Sequence, residues 1–177
     1  MRKRFILFFS LLCAVPIVSA QDLDQKYSEQ VASEDAIIEN LYGVISGEKG
    51  EARNWELFLY LFTPEGRLIP STKGKDGQFE TRYMSPEDYV KAATDWFETT
   101  GFYEKEIFRK SETFGNVTHV FSTYESFRSK SDAEPFLRGI NSIQLLNDGK
   151  RWWVVNIYWT PETTESPIPE KYLPKSE

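Results

Sequence analysis

Residues 102–128, FYEKEIFRKSETFGNVTHVFSTYESFR, decide the fold, because polar and apolar side chains alternate through them with a period of two. This alternation predicts two β-strands, with Gly115-Asn116 as the two-residue turn of a hairpin between them. The same period continues beyond the quoted stretch and predicts four strands, over 102–113, 117–128, 136–146 and 151–159. The sequence therefore predicts a four-stranded antiparallel meander.

Three stretches before the meander have the 3.6-residue period of amphipathic helices. Each begins at a residue type that caps helix N-termini, namely Ser33, Asn54 and Ser85. The third helix is marked most clearly, since Pro86 stands at its first position and Gly101 follows its end. A short strand, GRLIP, and a polar loop, STKGKDGQFETR, separate the second helix from the third.

These elements predict an α+β domain, in which three N-terminal helices pack on a strongly curved antiparallel sheet. The domain spans 33–160, after a polar lead-in over 21–32. A proline-rich tail follows over 161–177 and cannot build a core of its own, although Tyr172 and Leu173 can dock on one.

Residues 1–20 predict a secretory signal peptide, with basic residues, an apolar run and a small-residue cleavage pattern that ends at Ala20. The apolar run is too short for a membrane span, and Leu12 before Cys13 argues against a lipoprotein. Cleavage leaves 18 basic and 27 acidic residues, so the net charge changes from −6 to −9, and it removes the single cysteine. We therefore expect an exported protein, periplasmic or secreted, without disulfide or thiol chemistry.

Composition and spacing exclude several kinds of function. The acidic balance disfavours nucleic-acid binding, which needs clustered lysine and arginine. His119 is the single histidine, and without cysteine it cannot build a zinc site. No glycine-rich phosphate loop occurs in the sequence. We therefore predict no metal, no cofactor, no nucleic-acid partner and no membrane segment after cleavage.

The order of the elements resembles the nuclear transport factor 2-like, or SnoaL-like, superfamily, and most closely an exported bacterial branch of it. The motifs that carry this resemblance cover nearly all of 33–173: LFTPEGRLIP, MSPEDYV, HVFSTYESFRS, AEPFLRGINSIQLL, RWWVVNIYW and PIPEKYL. The resemblance implies a cone-shaped pocket between the helices and a bent sheet, and we place Trp96 among its ligand-binding residues. The superfamily includes isomerases, dehydratases, cyclases, binding modules and partner-docking domains, so the fold leaves the function open.

Tyr42 on the first predicted helix resembles the tyrosine with which steroid isomerases of this superfamily donate to an oxyanion. Those enzymes also need an aspartate base on the pocket floor. The predicted strands contain no such aspartate, apart from the turn residue Asp148. This departure argues against isomerase chemistry, and the alternative role of Tyr42 is that of a core aromatic.

The turn Asp148-Gly149 sets the predicted register of the last hairpin, in which Asn141 faces Asn156. Tyr158 lies on the same predicted face. Two amides and a phenol between apolar neighbours provide a pocket floor that exchanges hydrogen bonds with a ligand. The alternative is a mutual amide–amide hydrogen bond with a structural role.

The predicted turn at Gly115-Asn116 places His119 opposite Glu112. A carboxylate beside an imidazole is an acid–base pair of the kind that dehydratases of this superfamily use. The pair lies three residues from the turn, where hairpins usually reach solvent. We therefore favour the alternative, an exposed cross-strand pair with little energetic weight.

Arg109 and Tyr124 lie on the opposite face of this predicted hairpin and are candidates to point into the cavity. An arginine there binds a carboxylate or polarises a carbonyl group. The alternative for Arg109 is a stem that lies along the sheet with its charged head in water.

Both faces of the predicted sheet carry large apolar residues, so each face needs a cover. The helices supply one cover, and we expect a homodimer through the sheet to supply the other, with the C-terminal tail as the alternative cover. The function we favour is a pocket that binds a small, mostly apolar molecule. The alternatives are an acid–base lyase, cyclase or isomerase, and a module that docks a protein partner through its sheet.

Overall fold

The computed structural model describes residues 20–175, which form a six-stranded sheet and the helices that pack on its inner face. The helices are α1 (Ala20–Tyr27), α2 (Glu34–Ile45), α3 (Trp55–Leu61) and α4 (Pro86–Thr100). The strands are β1 (Phe62–Lys73), β2 (Phe79–Thr81), β3 (Tyr103–Phe114), β4 (Val117–Phe127), β5 (Leu137–Asn147) and β6 (Trp152–Pro161), in the sheet order β2-β1-β6-β5-β4-β3.

The predicted signal peptide, residues 1–20, lies outside the described residues except for Ala20. Within the part of the chain that the structure describes, no helix has the length and hydrophobicity that crossing a membrane requires.

The three predicted helices form where their capping residues indicate. In each, the side chain of the cap, Ser33, Asn54 or Ser85, accepts a hydrogen bond at 3.0–3.1 Å from the backbone amide three residues on. Gly101 ends α4 with a φ of 67°, a conformation that favours glycine. A Cβ atom at this position would also lie 2.6 Å from the carbonyl oxygen of Arg128. These caps set the length of the helices that cover the sheet.

The four predicted strands of the meander are confirmed to within two residues at each end. β3, β4, β5 and β6 pair antiparallel with their neighbours. Gly115 has a φ of 60° in the turn between β3 and β4, as a tight hairpin turn requires.

The expectation of a wholly antiparallel sheet is wrong at one edge. β1 is a twelve-residue strand, much longer than the predicted GRLIP, and it pairs parallel with β6. The predicted polar loop instead forms the end of β1 together with β2, and these two strands pair antiparallel. A parallel pair joins segments far apart in the sequence, so no local pattern specifies it.

The predicted polar lead-in over 21–32 is helical. α1 is followed by a 3-10 helix, Glu29–Val31, and Tyr27 and Val31 are buried in the core. The Tyr27 hydroxyl donates a hydrogen bond to Glu56 at 2.7 Å, which ties this segment to α3. The polar composition concealed the helix because its burial depends on a few isolated apolar residues.

The turn between β5 and β6 holds four residues, 148–151, instead of the predicted two, so that Asn147 faces Trp152. The Asp148 carboxylate accepts a hydrogen bond from the Trp153 indole at 2.7 Å and two more from backbone amides of the turn. These hydrogen bonds lower the pKa of Asp148 from its ordinary 3.8 to about 2. They stabilise the longer turn.

A β-bulge in β6 changes the register again, because Val155 is an extra residue on that strand. Beyond the bulge, Asn141 faces Trp159 on the inner face, whereas Asn156 faces Gln144 on the outer face. The predicted pairing of Asn141 with Asn156 is therefore wrong. The longer turn and the bulge together shift the strand by three residues, and an odd shift moves a side chain to the other face.

A second bulge lies at Ile107 in β3. Between the turn and this bulge the predicted register is confirmed, but beyond it Glu106 faces Tyr124 instead of Glu125. The extra residue reverses which side chains point inward. Glu104 and Glu106 therefore point towards the helices.

The C-terminal tail packs on the outer face of the sheet. The Tyr172 ring lies 4.9 Å from that of Phe121 and 6.5 Å from that of Phe108, centroid to centroid. Its carbonyl oxygen accepts a hydrogen bond from Thr123 Oγ1 at 2.7 Å. The tail thus covers part of the outer face of the sheet, which the helices leave uncovered. The homodimer through this face stays a prediction.

A buried arginine, Arg53, holds the end of α2 against the loop that follows. Its Nε donates to the Ile45 carbonyl at 2.9 Å and its Nη2 to the Gly47 carbonyl at 2.7 Å. The guanidinium carbon lies 5.9 Å from the ring centroid of Phe97 in α4. Because Ile45 and Phe97 both line the cavity between helices and sheet, Arg53 fixes one wall of that cavity.

We expect Arg53→Met to lower the free energy of unfolding by about 2–4 kcal/mol, because buried carbonyl groups lose their donor. Urea unfolding at neutral pH measures this loss. Arg82→Met is the control, since Arg82 is exposed and its side chain forms no hydrogen bond or ion pair with residues 20–175, and it should cost less than about 1 kcal/mol. Equal losses in the two variants would contradict the role of Arg53.

Candidate functional site

A cavity of about 320 Å³ lies between the helices and the inner face of the sheet. Most of its wall is aliphatic or aromatic, and a few polar side chains enter it. The lining residues are Leu41, Tyr42, Ile45, Phe58, Leu68, Tyr89, Ala92, Ala93, Trp96, Phe97, Phe102, Glu104, Tyr124, Leu137, Asn141, Ile157 and Trp159. Pockets of this composition suit small, mostly apolar molecules.

Glu104 is the acidic group of the cavity. Ser126 Oγ donates to its Oε2 at 3.1 Å, and Asn141 Nδ2 approaches its Oε1 at 3.4 Å. Burial raises the pKa of Glu104 from its ordinary 4.5 to about 7, and the two hydrogen bonds oppose this shift only in part. Near neutral pH the cavity therefore holds a carboxyl group that readily gains or loses a proton.

A chain of hydrogen bonds runs from the cavity wall through Tyr42, Ser122 and Glu106. The Ser122 hydroxyl donates to Glu106, and the Tyr42 hydroxyl lies 2.7 Å from Ser122 Oγ. An ionised carboxylate only accepts, so the single Ser122 proton is used there, and Tyr42 must donate to Ser122. Tyr42 therefore has no proton left for a ligand, which disfavours its predicted role as an oxyanion donor.

Asn141 connects Glu104 to the Tyr42 hydroxyl. Its Nδ2 donates to the Tyr42 hydroxyl at 3.0 Å and lies 3.4 Å from Glu104. Both of its amide hydrogens are thus directed at protein groups. The Asn141 Oδ1 accepts no hydrogen bond from the described residues, so it is the acceptor that the amide offers to the cavity.

Arg109 holds Glu106 in place instead of entering the cavity. Its Nε lies 3.0 Å from both Glu106 carboxylate oxygens and its Nη2 2.6 Å from one of them. Its Nη1 donates to Asp35 at 2.7 Å. The guanidinium fork is therefore bound to carboxylates of the protein itself, and the prediction that Arg109 points into the cavity is wrong.

Tyr124 enters the cavity opposite a glycine. A Cβ atom on Gly139 would lie 2.4 Å from the Tyr124 hydroxyl, so only glycine leaves room for that hydroxyl. Burial, and in second place the negative charge of Glu104, raise the pKa of Tyr124. No described residue forms a hydrogen bond with this hydroxyl, so it is free to donate to a ligand.

The structure separates the predicted site residues into two groups. Those that line the cavity are Tyr42, Trp96, Tyr124 and Asn141. Those that lie elsewhere are Arg109, Glu112, His119, Asn156 and Tyr158. The longer turn and the bulge of β6 place Asn156 and Tyr158 on the outer face, and Glu112 and His119 lie there in the predicted register. Ligand binding by the first group stays a prediction.

His119 faces Glu112 as predicted, but the two side chains do not form an acid–base pair. The Glu112 carboxylate binds Lys110 at 2.9 Å, and this lysine lowers the pKa of Glu112. His119 Nε2 lies 3.0 Å from Ser142 Oγ. The pair sits on the outer face, away from the cavity, so its predicted catalytic role lacks the required geometry.

Sequence reasoning missed Glu104 and Glu106. Both belong to the charged run EKE at residues 104–106, which indicates a solvated strand, and a strictly alternating strand continued from the turn would not have placed both of them inside. The one signal was the run IFR after them, which interrupts the alternation at Ile107. Within residues 20–175, no group of three acidic or histidine side chains forms that could hold a metal ion.

Comparison with solved structures identifies the fold. A protein of unknown function with a cystatin-like fold from Nostoc punctiforme aligns with a TM-score of 0.54 and 11% identity, covering 83% of this chain and 96% of that one. A nuclear transport factor 2-like protein of unknown function from Silicibacter pomeroyi aligns with a TM-score of 0.52 and 14% identity, covering 76% and 98%. An uncharacterised cystatin-like protein from Caulobacter vibrioides gives a TM-score of 0.52 and 13% identity, covering 74% and 88%.

The chain therefore has the nuclear transport factor 2-like fold, and the resemblance seen in the sequence is confirmed at the level of the fold. No protein-family model and no curated protein sequence matches the chain. At these sequence identities the similarity establishes the fold alone, so the function has to be argued from the cavity.

The raised pKa of Glu104 predicts a pH-dependent stability. Between about pH 4.5 and 7 the native state keeps a proton that the unfolded chain releases, so the free energy of unfolding falls as pH rises. We expect Glu104→Gln to remove this dependence, so that the wild type loses about 2 kcal/mol relative to the variant between about pH 5 and 7.5. Urea unfolding at the two pH values measures the difference.

Glu112→Gln is the control, because Glu112 is exposed and its pKa is lowered, so its titration lies below this pH range. Parallel pH profiles for wild type and Glu104→Gln would show that Glu104 titrates normally.

Proposed function

We propose that this protein binds a small, mostly apolar molecule that carries a hydrogen-bond-accepting oxygen, such as a carbonyl group. The observation that carries the proposal is Glu104, a carboxyl group with a pKa of about 7 inside a mostly apolar cavity. A buried group of this kind has a large energetic cost when ionised. Glu104 is therefore most stable as the neutral acid, and in that form it can donate a hydrogen bond to an oxygen of the ligand.

The cavity supplies both parts of such a binding site. Its volume of about 320 Å³ lies at the lower end of the range for small-molecule sites. Phe58, Leu68 and Ile157 form an apolar wall, which favours burial of a hydrocarbon or aromatic body. Glu104 when protonated and the Tyr124 hydroxyl are the available donors, and few donors in an apolar wall are what orient a ligand.

Protonation of Glu104 controls this recognition. Below about pH 7 the carboxyl group donates a hydrogen bond to a carbonyl oxygen, and above it the carboxylate repels that oxygen. Affinity for a neutral ketone should therefore be highest in mildly acidic solution and decrease as the pH rises through the pKa.

A second candidate function is proton transfer, as in a lyase, cyclase or isomerase. One observation favours it: a general acid or base works best when its pKa lies near the operating pH, and that of Glu104 is about 7. In such a reaction Glu104 removes a proton from a carbon next to a carbonyl group, and Tyr124 donates to the oxygen. This assignment replaces the predicted pair of His119 and Glu112.

The basic and apolar start of the sequence supports the further proposal that the protein acts outside the cytoplasm. A dimer through the outer face of the sheet is likewise a proposal. Its support is the exposed Tyr158, which the tail leaves 44% accessible.

Binding is tested with prodan, a neutral naphthyl ketone whose fluorescence responds to polarity and to hydrogen bonds at its carbonyl. We expect wild-type affinity to fall about tenfold between about pH 6 and 8, since one pKa unit corresponds to a factor of ten. Glu104→Gln should bind with little pH dependence, because its amide donates at every pH, and Tyr124→Phe should weaken binding severalfold.

Glu112→Gln, on the outer face, is the control and should follow the wild type. Absence of prodan binding at every pH would contradict the proposed pocket, and a pH profile unchanged by Glu104→Gln would remove the role of Glu104.

A further inference from the structure

The mouth of the cavity is marked by the lining residues that reach solvent. Trp96 in α4 is 41% exposed and Leu137 at the start of β5 is 36% exposed. Phe136, next to Leu137, is 42% exposed. The Phe136 ring lies 6.3 Å from that of the lining residue Phe102, centroid to centroid, so these three large apolar side chains form an exposed rim at the opening.

Arg128 lies on this rim. Its guanidinium carbon is 3.9 Å from the ring centroid of Phe136 and 5.1 Å from that of Trp96. Stacking on aromatic rings orients a guanidinium while leaving its N–H edge free for hydrogen bonds. The positive charge of Arg128 is therefore held at the mouth of the cavity.

The hydrogen-bond donors of this guanidinium have no acceptor among residues 20–175. The nearby Asp132 carboxylate instead accepts from the backbone amides of Arg128 and Ser129, at 2.9 and 3.1 Å. The contrast with Arg109 is clear, because the fork of Arg109 is bound to carboxylates of the chain. Arg128 is thus an oriented cation whose N–H edge is open at the entrance of an apolar cavity.

We propose that the ligand of this cavity carries a carboxylate at the end that faces the mouth, and that Arg128 binds it. This inference rests on the proposed function. The planar fork of an arginine matches a carboxylate with two parallel hydrogen bonds. A single guanidinium balances one negative charge, which suits a carboxylate better than a doubly charged phosphate. The substrate class is therefore an apolar carboxylic acid.

The position of Glu104 sets the conditions of the test. Leu137 faces Ser126, and Ser126 faces Glu104, so Glu104 lies on the same cross-strand row as the mouth residue Leu137. An ionised Glu104 would repel an anionic ligand, whereas its protonated form would not. Binding is therefore compared at about pH 6, below the pKa of Glu104 and above that of a simple carboxylic acid.

The experiment compares decanoate with decanamide, which has the same shape but no charge, as competitors of prodan. We expect wild type to bind decanoate about tenfold more tightly than decanamide, and Arg128→Gln to lose that preference with unchanged affinity for decanamide. Lys130→Gln removes a positive charge two residues away, over the ring of Tyr103, and should keep the preference.

The outcomes separate the two proposals. If the wild type binds decanamide but has no preference for decanoate, or if Arg128→Gln keeps the preference, the role of Arg128 is wrong and the pocket stands. If Lys130→Gln loses the preference equally, general surface charge and not Arg128 selects the ligand. If neither molecule nor prodan binds, the proposed function itself fails. Decanamide binding by Arg128→Gln shows that this variant is folded.

Discussion

The bulge at Ile107 is the constraint on which the candidate site depends. Side chains on a strand alternate between its two faces, so one extra residue exchanges the faces for the rest of the strand. In β3 this exchange turns Glu104 and Glu106 from solvent to the helix-covered side. Without the bulge, Ile107 would face Tyr124 in place of Glu106, and Lys105 would face Ser126 in place of Glu104, so the cavity would lose its carboxyl group.

The two glutamates are two residues apart, but only one of them has a cationic partner. Glu106 keeps a bidentate partner in Arg109 and uses Ser122 to orient Tyr42. Glu104 has no cationic partner within the described residues, and burial raises its pKa to about 7. The different surroundings of these two carboxyl groups give the inner face both a hydrogen-bonded network and a carboxyl group whose pKa lies near neutral pH.

The fold provides the cavity, and the side chains that line it determine what it can bind. The solved structures that share this fold have 11–14% identity with the chain, which preserves the curved sheet and its helical cover but specifies no ligand. Here the cavity combines a titrating acid, an unpaired tyrosine hydroxyl and an arginine at its mouth. These three groups define the ligand class that the two proposals describe.

The sequence by itself determined the elements that local signals specify. The capping residues Ser33, Asn54 and Ser85 fixed the three helices, and the period of two fixed the four strands of the meander, because these signals act over a few residues. Only the tertiary structure decided the parallel pairing of β1 with β6, the burial of α1 and the bulges that place Glu104 inside and Asn156 outside. A bulge is stabilised by contacts on both faces of the assembled sheet, so the interrupted alternation at Ile107 does not specify it without long-range packing.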